Sequence, residues 1–485
     1  MLKEVNRNQT TLFPESIDEY ITSDNPVRVI DVYVEQLDMV VLRFNFAVPP
    51  GVGRPPYDPK VLLKLYLYGY LNRVRSSRRL EDESKRNVEL IWLLEKQSPD
   101  FKTIADFRKN NKKALKAIYR DFTRLCKQWE MFGKETVAVD STKFKASNSK
   151  KNNYSKKKIE RHKKYIDEKI DRYLEELDEN DELERSDRKP SEDEIKKRIE
   201  ELKKRKHRFE NLEQELEKSG QSEISTIDPD ARLMSNNNHT VDVSYNVQTT
   251  VDARHKLIID YRVVTQPNDI GCLSEMGLRA QEIMGVENLE LLADKGYYRA
   301  ECLRKCVENK IRPYVSKQVR SNRTGEKAFY ADKFCYDQGK DVYTCPAGEE
   351  LTKAVARKTK KEGIIGYDYR NYKACRACED MTRCTRSKKG RSIYRHKDQD
   401  FLDKIDLKSK EDFKKYKQRQ MIVEHPFGTI KHIWDAGYYL TRGKESVSTE
   451  TALIYLAYNL KRVINILGAE EMVRRLQQRG KPVMV

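Results

Sequence analysis

Two short apolar segments that each end in an aspartate constrain the fold of this chain more than any other feature. Residues 137–139 lead into Asp140, and residues 289–293 lead into Asp294. Apolar runs of this length are typical of strands buried in a sheet. A sheet holds a carboxylate at a strand end rigidly, while the head of the side chain reaches the open sheet edge. The sequence therefore predicts an α/β core with acids fixed at its edge.

A third acid, Glu424, lies in a later helical segment that also contains Tyr416, Arg419 and Lys431. Carboxylate oxygens are the ligands that Mg²⁺ prefers, and three carboxylates converging on one spot would hold two such ions. This arrangement stabilises both the attacking and the leaving oxygen of a phosphodiester. Each acid alone has an ordinary explanation, as a turn residue or a helix cap. Their order along the chain favours the functional interpretation.

The three motifs together resemble those of the DDE transposases of bacterial insertion sequences. In the branch concerned, a strand ends in Asp-Ser-Thr, a second acid stands in Asp-x-Gly-Tyr, and the last catalytic helix carries a Tyr-Arg-Glu-Lys signature. The first two motifs occur here at Asp140 and Asp294. Four residues rather than the usual three separate Arg419 from Glu424, whereas the six-residue gap from Glu424 to Lys431 is as expected.

The resemblance implies roles for these residues. The implied ligands of Mg²⁺ or Mn²⁺ are Asp140, Asp294 and Glu424. The implied contacts to DNA phosphate are Tyr416, Arg419 and Lys431. It further implies an α/β ribonuclease-H-like catalytic core with a mixed sheet, in which the first Asp lies on the first strand and the second Asp at the fourth.

The activity that the resemblance implies is metal-dependent cleavage of DNA at the ends of a mobile element, followed by attack of the freed 3′ hydroxyl on target DNA. The implied partners are double-stranded DNA, as terminal inverted repeats and as target, and at least a homodimer, because two ends must be paired. Two alternatives stay open. One is a metal-dependent nuclease of the same fold, and the other is a DNA-binding relative that has lost its chemistry.

The charge of the chain agrees with a polyanionic partner. Lys and Arg outnumber Asp and Glu by 96 to 77, which gives a net charge of +19. Such an excess favours salt-sensitive affinity for phosphate that is largely independent of sequence, although a merely basic protein would show the same balance. No run approaches the roughly 18–20 apolar residues of a membrane span. The sequence therefore predicts no membrane partner and a cytoplasmic, nucleoid-associated protein.

Residues 1–132 predict an α-helical domain that binds DNA ends. Asp58 followed by Pro59 marks a helix start, and Thr103 is a candidate cap for a later helix. Four arginines stand close together between these positions: Arg73, Arg75, Arg78 and Arg79. Short helices with a basic connector are typical of helix-turn-helix DNA binding. The alternative is a packing bundle with a solvated basic edge, and the family resemblance favours the first interpretation.

The catalytic core is predicted in two parts, residues 133–147 and 223–318. Between them, residues 148–222 are dominated by charge and place apolar residues at heptad steps, which indicates an antiparallel helical hairpin. Its second helix is predicted to begin at a capping box that starts at Ser191. A solvated structural insertion is favoured over a role in dimer contact or DNA clamping. Residues 401–485 are predicted to hold the Glu424 helix and C-terminal helices, with a wide apolar face over residues 453–467.

Residues 319–400 predict a Cys-rich insertion of the zinc-ribbon type. A CxxC pair and two further cysteines in one basic stretch are typical of a tetrahedral zinc site. The four predicted ligands are Cys345, Cys375, Cys378 and Cys384. Cys335 or His396 could substitute for one of them, and the alternative is a set of free, partly buried thiols. Metal bound here would be structural and would take no part in the chemistry.

Overall fold

The computed structural model describes residues 16–48, 55–182, 192–235, 240–317, 321–359 and 363–479. Its N-terminal part is helical, as predicted. The helices there are α1 (Pro26–Glu35), α2 (Pro59–Leu71), α3 (Ser77–Arg86), α4 (Val88–Leu93), α5 (Phe101–Asn110) and α6 (Lys112–Gln128). The predicted start of α2 is confirmed, because the Asp58 side chain accepts a hydrogen bond from the amide of Lys60. The predicted cap at Thr103 is wrong, since Asp100 caps α5 by accepting from the amides of Lys102 and Thr103.

A six-stranded mixed sheet forms the centre of the molecule. Its strands are β1 (Thr136–Lys145), β4 (Arg232–Ser235), β5 (Val241–Asp252), β6 (Ile258–Val264), β7 (Leu289–Ala293) and β8 (Ile311–Val315). Two short strands outside this sheet, β2 (Asn153–Ser155) and β3 (Glu223–Ser225), pair with each other. Strand β1 is antiparallel to β5 and parallel to β7. Strand β8 is parallel to β7, and both β4 and β6 pair with β5 on the edge away from β1. Strands are present at both aspartates, and Asp294 directly follows β7 as predicted. The predicted strand end at Asp140 is wrong, because pairing with β5 continues β1 to Lys145 and leaves Asp140 within the strand.

Two different layers cover the sheet. On one face, Val137, Val139 and Leu291 belong to the main hydrophobic core, which includes residues of α6 and of the later helix α15 (Lys444–Leu467). On the other face, a smaller cluster joins Ala138 and Leu292 to α14 (Phe413–Gly428). This division follows from the alternation of side chains along a strand. The sheet therefore separates the α6 and α15 side of the molecule from the side that carries Glu424.

Helix α15 is the central helix of the main core. Almost all of its residues between Thr449 and Leu460 are buried, which confirms the apolar face predicted from the sequence. It packs against α2, α6 and β6, and α16 (Ala469–Gln477) packs against α1. Helices α9 (Leu273–Met284) and α10 (Ala300–Glu308) complete the layer beside β7 and β8. The N-terminal helices and the sheet thus share one hydrophobic core.

The charged segment forms the predicted helical hairpin, made of α7 (Lys156–Glu182) and α8 (Glu192–Ser219). Its apolar seam has a cluster of its own that includes Ile159, Ile166 and Phe209. Lys163 pairs with Glu213 at 2.7 Å, and Lys206 pairs with Asp167 at 2.6 Å, which fixes the antiparallel arrangement. The capping box predicted at Ser191 begins outside the described residues.

The cysteine-bearing segment forms a second, five-stranded antiparallel sheet. Its strands are β9 (Cys335–Asp337), β10 (Val342–Thr344), β11 (Glu350–Thr359), β12 (Gly363–Arg370) and β13 (Ser392–His396). Between β12 and β13 lie two short helices, α11 (Tyr372–Ala377) and α12 (Met381–Cys384). A small cluster around Tyr343, Leu351 and Tyr369 provides its core. Helix α13 (Gln399–Glu411) then leads back to α14, and a π-helical turn (Thr429–Ile433) follows α14 directly.

Candidate active site

The register of two parallel strands places Asp140 and Asp294 side by side. Ala138 of β1 pairs with Leu292 of β7, and the two aspartates follow these residues by two positions. Side chains two residues apart on a strand share a face. Both carboxylates therefore lie on the face of the sheet that α14 covers, as neighbours across adjacent strands.

Helix α14 brings Glu424 to the same face. Ile422 and Val423 are buried against Ala138 and Leu292, and Glu424 is the next residue along the helix. Its side chain is exposed, and its Oε1 accepts a hydrogen bond from Gln420 Nε2 at 2.7 Å. The three predicted acids thus lie on one side of the sheet. Hydrogen bonds and ion pairs among the described residues do not connect the Glu424 carboxylate to either aspartate.

Arg419 lies between the two aspartates. Its Nη1 is 3.2 Å from Asp140 Oδ2, and its Nη2 is 4.0 Å from Asp294 Oδ1. Arg419 precedes the buried Val423 by one helical turn, so its side chain is on the side of α14 that faces the sheet. The residue for which the resemblance implied a phosphate contact is here the counter-ion of the carboxylate pair.

The environment of Asp140 disfavours its negative charge. Burial raises the pKa of Asp140 to about 6, while the Arg419 guanidinium and the amide of Ser141 oppose this rise. The Ser141 amide donates to Asp140 Oδ1 at 2.8 Å. The nearby carboxylates of Asp294 and Asp269 also contribute to this raised pKa. A cation placed at this pair would relieve both the burial and the repulsion.

Asp269 is an additional acid of the site, because its charge acts on Asp140. Its Oδ1 accepts hydrogen bonds from Gln248 Nε2 at 2.7 Å and from Asn246 Nδ2 at 3.0 Å. The hydroxyl of the buried Tyr297 donates to Gln248 Oε1. Because Tyr297 belongs to the turn after Asp294, this network ties that turn to β5. Only the pairing of distant strands brings Asp269 here, and its local sequence gives no signal of this position.

Lys431 approaches the site from the π-helical turn, a feature frequently found at functional sites. Its ammonium donates to the carbonyl of Lys143 on β1 at 2.7 Å and lies 5.2 Å from the centre of the Phe144 ring. Burial lowers the pKa of Lys431 to about 8, the charge of Lys143 acts in the same direction, and Asp140 opposes both. Tyr416 lies one turn before Gln420 and packs against the small cluster under α14.

The arginine cluster divides into one buried and three exposed members. Arg73, Arg78 and Arg79 are exposed. Arg75 is only 8% exposed; its guanidinium stacks on Tyr438 at 4.5 Å and donates to the carbonyl of that residue at 2.8 Å. These protein contacts give Arg75 a structural role, and the contact of the cluster with DNA stays a prediction.

The four cysteines selected from the sequence line one cavity of about 30 Å³. Burial raises the pKa of Cys384 to about 11, and the three other cysteines of the cavity raise it further. Arg391 lines the same cavity, and its buried Nε has no hydrogen-bond partner among the described residues. The substitute ligand Cys335 is exposed on β9 and lies outside this cavity. His396 Nδ1 accepts a hydrogen bond from the amide of Asp398.

Neither the carboxylates nor the cysteines form a preassembled metal site. In the described part of the chain, no group of three or more His, Cys, Asp or Glu side chains has the spacing needed to hold a metal ion.

Two segments of the chain match known protein families. Residues 15–110 match a family described as "Transposase domain (DUF772)", and residues 344–464 match one described as "Transposase DDE domain". Both matches are to transposase families, and together they cover less than half of the chain. Together the matches confirm the predicted likeness to the DDE transposases of insertion sequences. No curated protein and no solved structure matches the chain.

The two matched segments cover different parts of the site. The first contains the arginine cluster, and the second contains Glu424, Lys431 and the four cavity cysteines. Asp140 and Asp294 lie outside both segments. Through the described ranges, no helix combines the length and the apolar character required to cross a membrane.

Proposed function

We propose that this transposase cleaves DNA at the ends of a mobile element and joins the freed ends to target DNA, with Asp140, Asp294 and Glu424 as the ligands of divalent metal. One observation carries the proposal. The two aspartates occupy neighbouring register positions on parallel strands, beneath the helix that bears Glu424. The strand path β6-β5-β1-β7-β8, with the first strand in the middle, supports a ribonuclease-H-like core. Asp294 follows β7, the fourth strand of this path in chain order.

The carboxylate pair fits a divalent cation. The carboxylates of Asp140 and Asp294 lie beside each other on neighbouring strands, and the Arg419 guanidinium balances their negative charge. Asp140, Asp294 and Glu424 supply the oxygen ligands that Mg²⁺ and Mn²⁺ prefer. When bound there, the metal would supply activation of the attacking hydroxyl and stabilisation of the departing 3′ oxygen.

The residues of the chain itself would bind and orient the DNA. The Lys431 ammonium, beside β1, and the Arg419 guanidinium would neutralise phosphate charge near the carboxylates, which is an electrostatic contribution to catalysis. The buried network of Asp269, Gln248 and Tyr297 would hold the turn that carries Asp294. A DNA substrate follows from the transposase family. Pairing of two element ends would require at least a homodimer, and DNA binding would place the protein at the nucleoid.

The experiment that tests this function is cleavage of labelled DNA bearing the flanking ends of the element, with Mg²⁺ or Mn²⁺. We expect nicking at the ends by the wild type, and a loss of at least about a hundredfold in Glu424→Gln and Asp140→Asn, as is typical when transition-state charge stabilisation is removed. Glu411→Gln, an exposed acid just before α14, is the matched control and should cleave normally. Cleavage without joining would favour the nuclease alternative. Binding without cleavage under both metals would favour the relative that has lost its chemistry.

We also propose that the four cavity cysteines bind a structural Zn²⁺. The buried Arg391 Nε, without a partner among the described residues, fits a site whose thiolates carry negative charge. The test is metal analysis of the purified protein combined with thermal unfolding in the presence of a chelator. One zinc per chain is expected in the wild type and in Cys335→Ser, and less in Cys375→Ser. A metal-free wild type would instead establish free thiols.

A further inference from the structure

Helix α6 displays a row of cations along one face. Five basic residues follow each other at steps of three or four positions: Lys113, Lys116, Arg120, Arg124 and Lys127. Residues at this spacing lie on one face of a helix. The opposite face is buried in the main core through residues such as Leu115 and Phe122. We call these five residues the α6 stripe.

The α6 stripe uses little of its charge inside the molecule, although the charge of Arg120 opposes the rise that burial causes in the pKa of Asp260. Among the described residues, none of its five members forms an ion pair within 4.0 Å. Three of the acids beside it pair with cations outside the stripe: Asp121 binds Arg479 at 2.6 Å, Asp260 binds Arg279 at 2.7 Å, and Glu445 lies 3.8 Å from Lys112. Lys113, Arg120 and Arg124 are exposed. The stripe therefore presents positive charge to a partner.

Two clefts are lined by residues of the α6 stripe, Lys113, Arg120 and Arg124 in the first and Lys116 and Arg120 in the third, and another cleft, the second, adjoins the first. From first to third, their volumes are about 890, 440 and 540 Å³. The first and second share Lys109 and Lys112, and the first and third share Arg120. The second also contains Arg442, whose Nε donates to the carbonyl of Ser147 just beyond β1. The three clefts, which we call the groove, thus run from α6 towards the end of the strand that carries Asp140.

We propose that the α6 stripe and its groove bind the phosphate backbone of duplex DNA. This inference rests on the proposed function for the identity of the polyanion. The stripe covers 14 helical steps, or about 21 Å at 1.5 Å per residue. Duplex DNA carries one negative charge per about 1.7 Å of its axis, with both strands counted. The stripe is therefore as long as a stretch of duplex with about 12 phosphates, which is about six base pairs. Lysine and arginine contacts of this kind position a duplex without reading its sequence.

The surface is separate from the catalytic carboxylates. Helix α6 belongs to the core on one face of the sheet, whereas α14 covers the other face. DNA held by the stripe is therefore a stretch of duplex away from the reacting phosphate. Its contribution is to affinity and to the path of the DNA, with no direct part in bond cleavage.

The test measures how salt affects DNA affinity. The variant Lys113→Gln/Arg120→Gln/Arg124→Gln is compared with wild type by fluorescence anisotropy on a 30-base-pair element end, in Ca²⁺, over a series of NaCl concentrations. The slope of log K against log salt is negative, and each lost phosphate contact reduces its magnitude by about 0.9. The magnitude of the slope is therefore expected to decrease by about 2 to 3. Affinity should fall equally for end and random duplexes. Thermal unfolding checks that the variant is folded.

The matched control carries the same change in net charge on the hairpin, as Lys157→Gln/Arg161→Gln/Lys203→Gln, at exposed positions. Its slope should equal that of wild type. An unchanged slope in the stripe variant, or an equal decrease in the control, would overturn the inference while leaving the proposed function intact. Failure of the wild type to bind any duplex would instead count against the proposed function.

Discussion

Arg419 is the residue whose position matters most for the chemistry of the carboxylate pair. Its guanidinium lies 3.2 Å from Asp140 and 4.0 Å from Asp294. It supplies these carboxylates with the positive charge that a bound metal would otherwise supply. Two like charges on neighbouring strands repel, and an opposite charge between them favours their ionised forms. Arg419 therefore competes with divalent metal for the same oxygens.

Replacement of Arg419 by Gln should strengthen metal binding in the absence of DNA. Removing a competing unit charge at about 4 Å is worth about 1 kcal/mol at the dielectric constant of bulk water and about 4 kcal/mol near a protein surface. The affinity for Mn²⁺, measured by calorimetry, should therefore rise at least about fivefold. Lys417→Gln, at an exposed position of the same helix, should leave the affinity unchanged. Weaker binding in Arg419→Gln would mean that the guanidinium positions the carboxylates.

Lys431 should make DNA affinity depend on pH near 8. Its pKa is lowered to about 8, so the ammonium is charged below that pH and neutral above it. Wild-type affinity for an element end should therefore fall as pH rises from 7 to 9, whereas Lys431→Met should bind more weakly at pH 7 and show no such fall. Binding titrations across this range decide the matter, and a fall that persists in Lys431→Met would refute the assignment.

The folded protein should also gain stability as pH rises through the same range. The pKa of Lys431 is lower in the folded chain than its usual value, so the unfolded chain binds more protons there. This contribution increases from about pH 8 upwards, until the unfolded-state pKa is passed. With rising pH, this contribution of Lys431 increases the stability of the fold, whereas its effect on DNA affinity is a decrease. Measuring stability and DNA affinity over one pH series therefore separates the two effects.

At the scale of the element, the α7–α8 hairpin is an independent unit of packing. Its apolar cluster contains residues of the hairpin and of the short strands at its base, and none of the main core. Phe209 is 5% exposed and stacks on His162 at 4.9 Å between ring centres. The energy that holds the hairpin closed is therefore local.

Phe209→Ala should open the hairpin without unfolding the central sheet. Truncation of a buried Phe costs about 3–5 kcal/mol. We expect this cost to exceed the free energy that holds the two helices of the hairpin together. Hydrogen exchange should become faster throughout α7 and α8 and remain slow in β1 and β7. Lys203→Ala, exposed on α8, serves as control. Loss of protection in β1 would show that the two cores are coupled.

At the scale of the whole molecule, buried charges join the N-terminal helices to the C-terminal ones. Glu450 on α15 is fully buried and accepts hydrogen bonds from the amides of Leu440 and Thr441. The guanidinium of Arg75 lies 3.6 Å from it. Arg75 and Glu450 belong to the two different transposase family matches, so these segments are parts of one packed structure.

Glu450→Ala should destabilise the whole molecule by about 3–5 kcal/mol, the cost of leaving a buried charge without its partner. Urea unfolding followed by circular dichroism measures this change. Glu445→Ala, on an exposed position of the same helix, should change stability by less than about 0.5 kcal/mol. A small effect of Glu450→Ala would mean that water replaces its contacts with Arg75 and the two amides.

The sequence alone determined the features that depend on local periodicity and local hydrogen bonding. The strands before Asp140 and Asp294, the heptad hairpin and the apolar helix near Leu453 all follow from the spacing of apolar residues. The start of α2 follows from a single side-chain cap. The order of the acidic motifs is enough to indicate a transposase, because each motif is contiguous in the chain.

Only the tertiary structure decided how distant segments meet. Arg75 is buried because Tyr438, more than 360 residues away, supplies a ring and a carbonyl for it. Arg419 reaches Asp140 across 279 residues, and Asp269 joins the site through the strand partners of β5. Such contacts are set by the packing of the sheet between two layers, and no short stretch of sequence contains that information. Local sequence therefore determined the strands that carry the acids, whereas the charged groups around these acids come from distant segments of the chain.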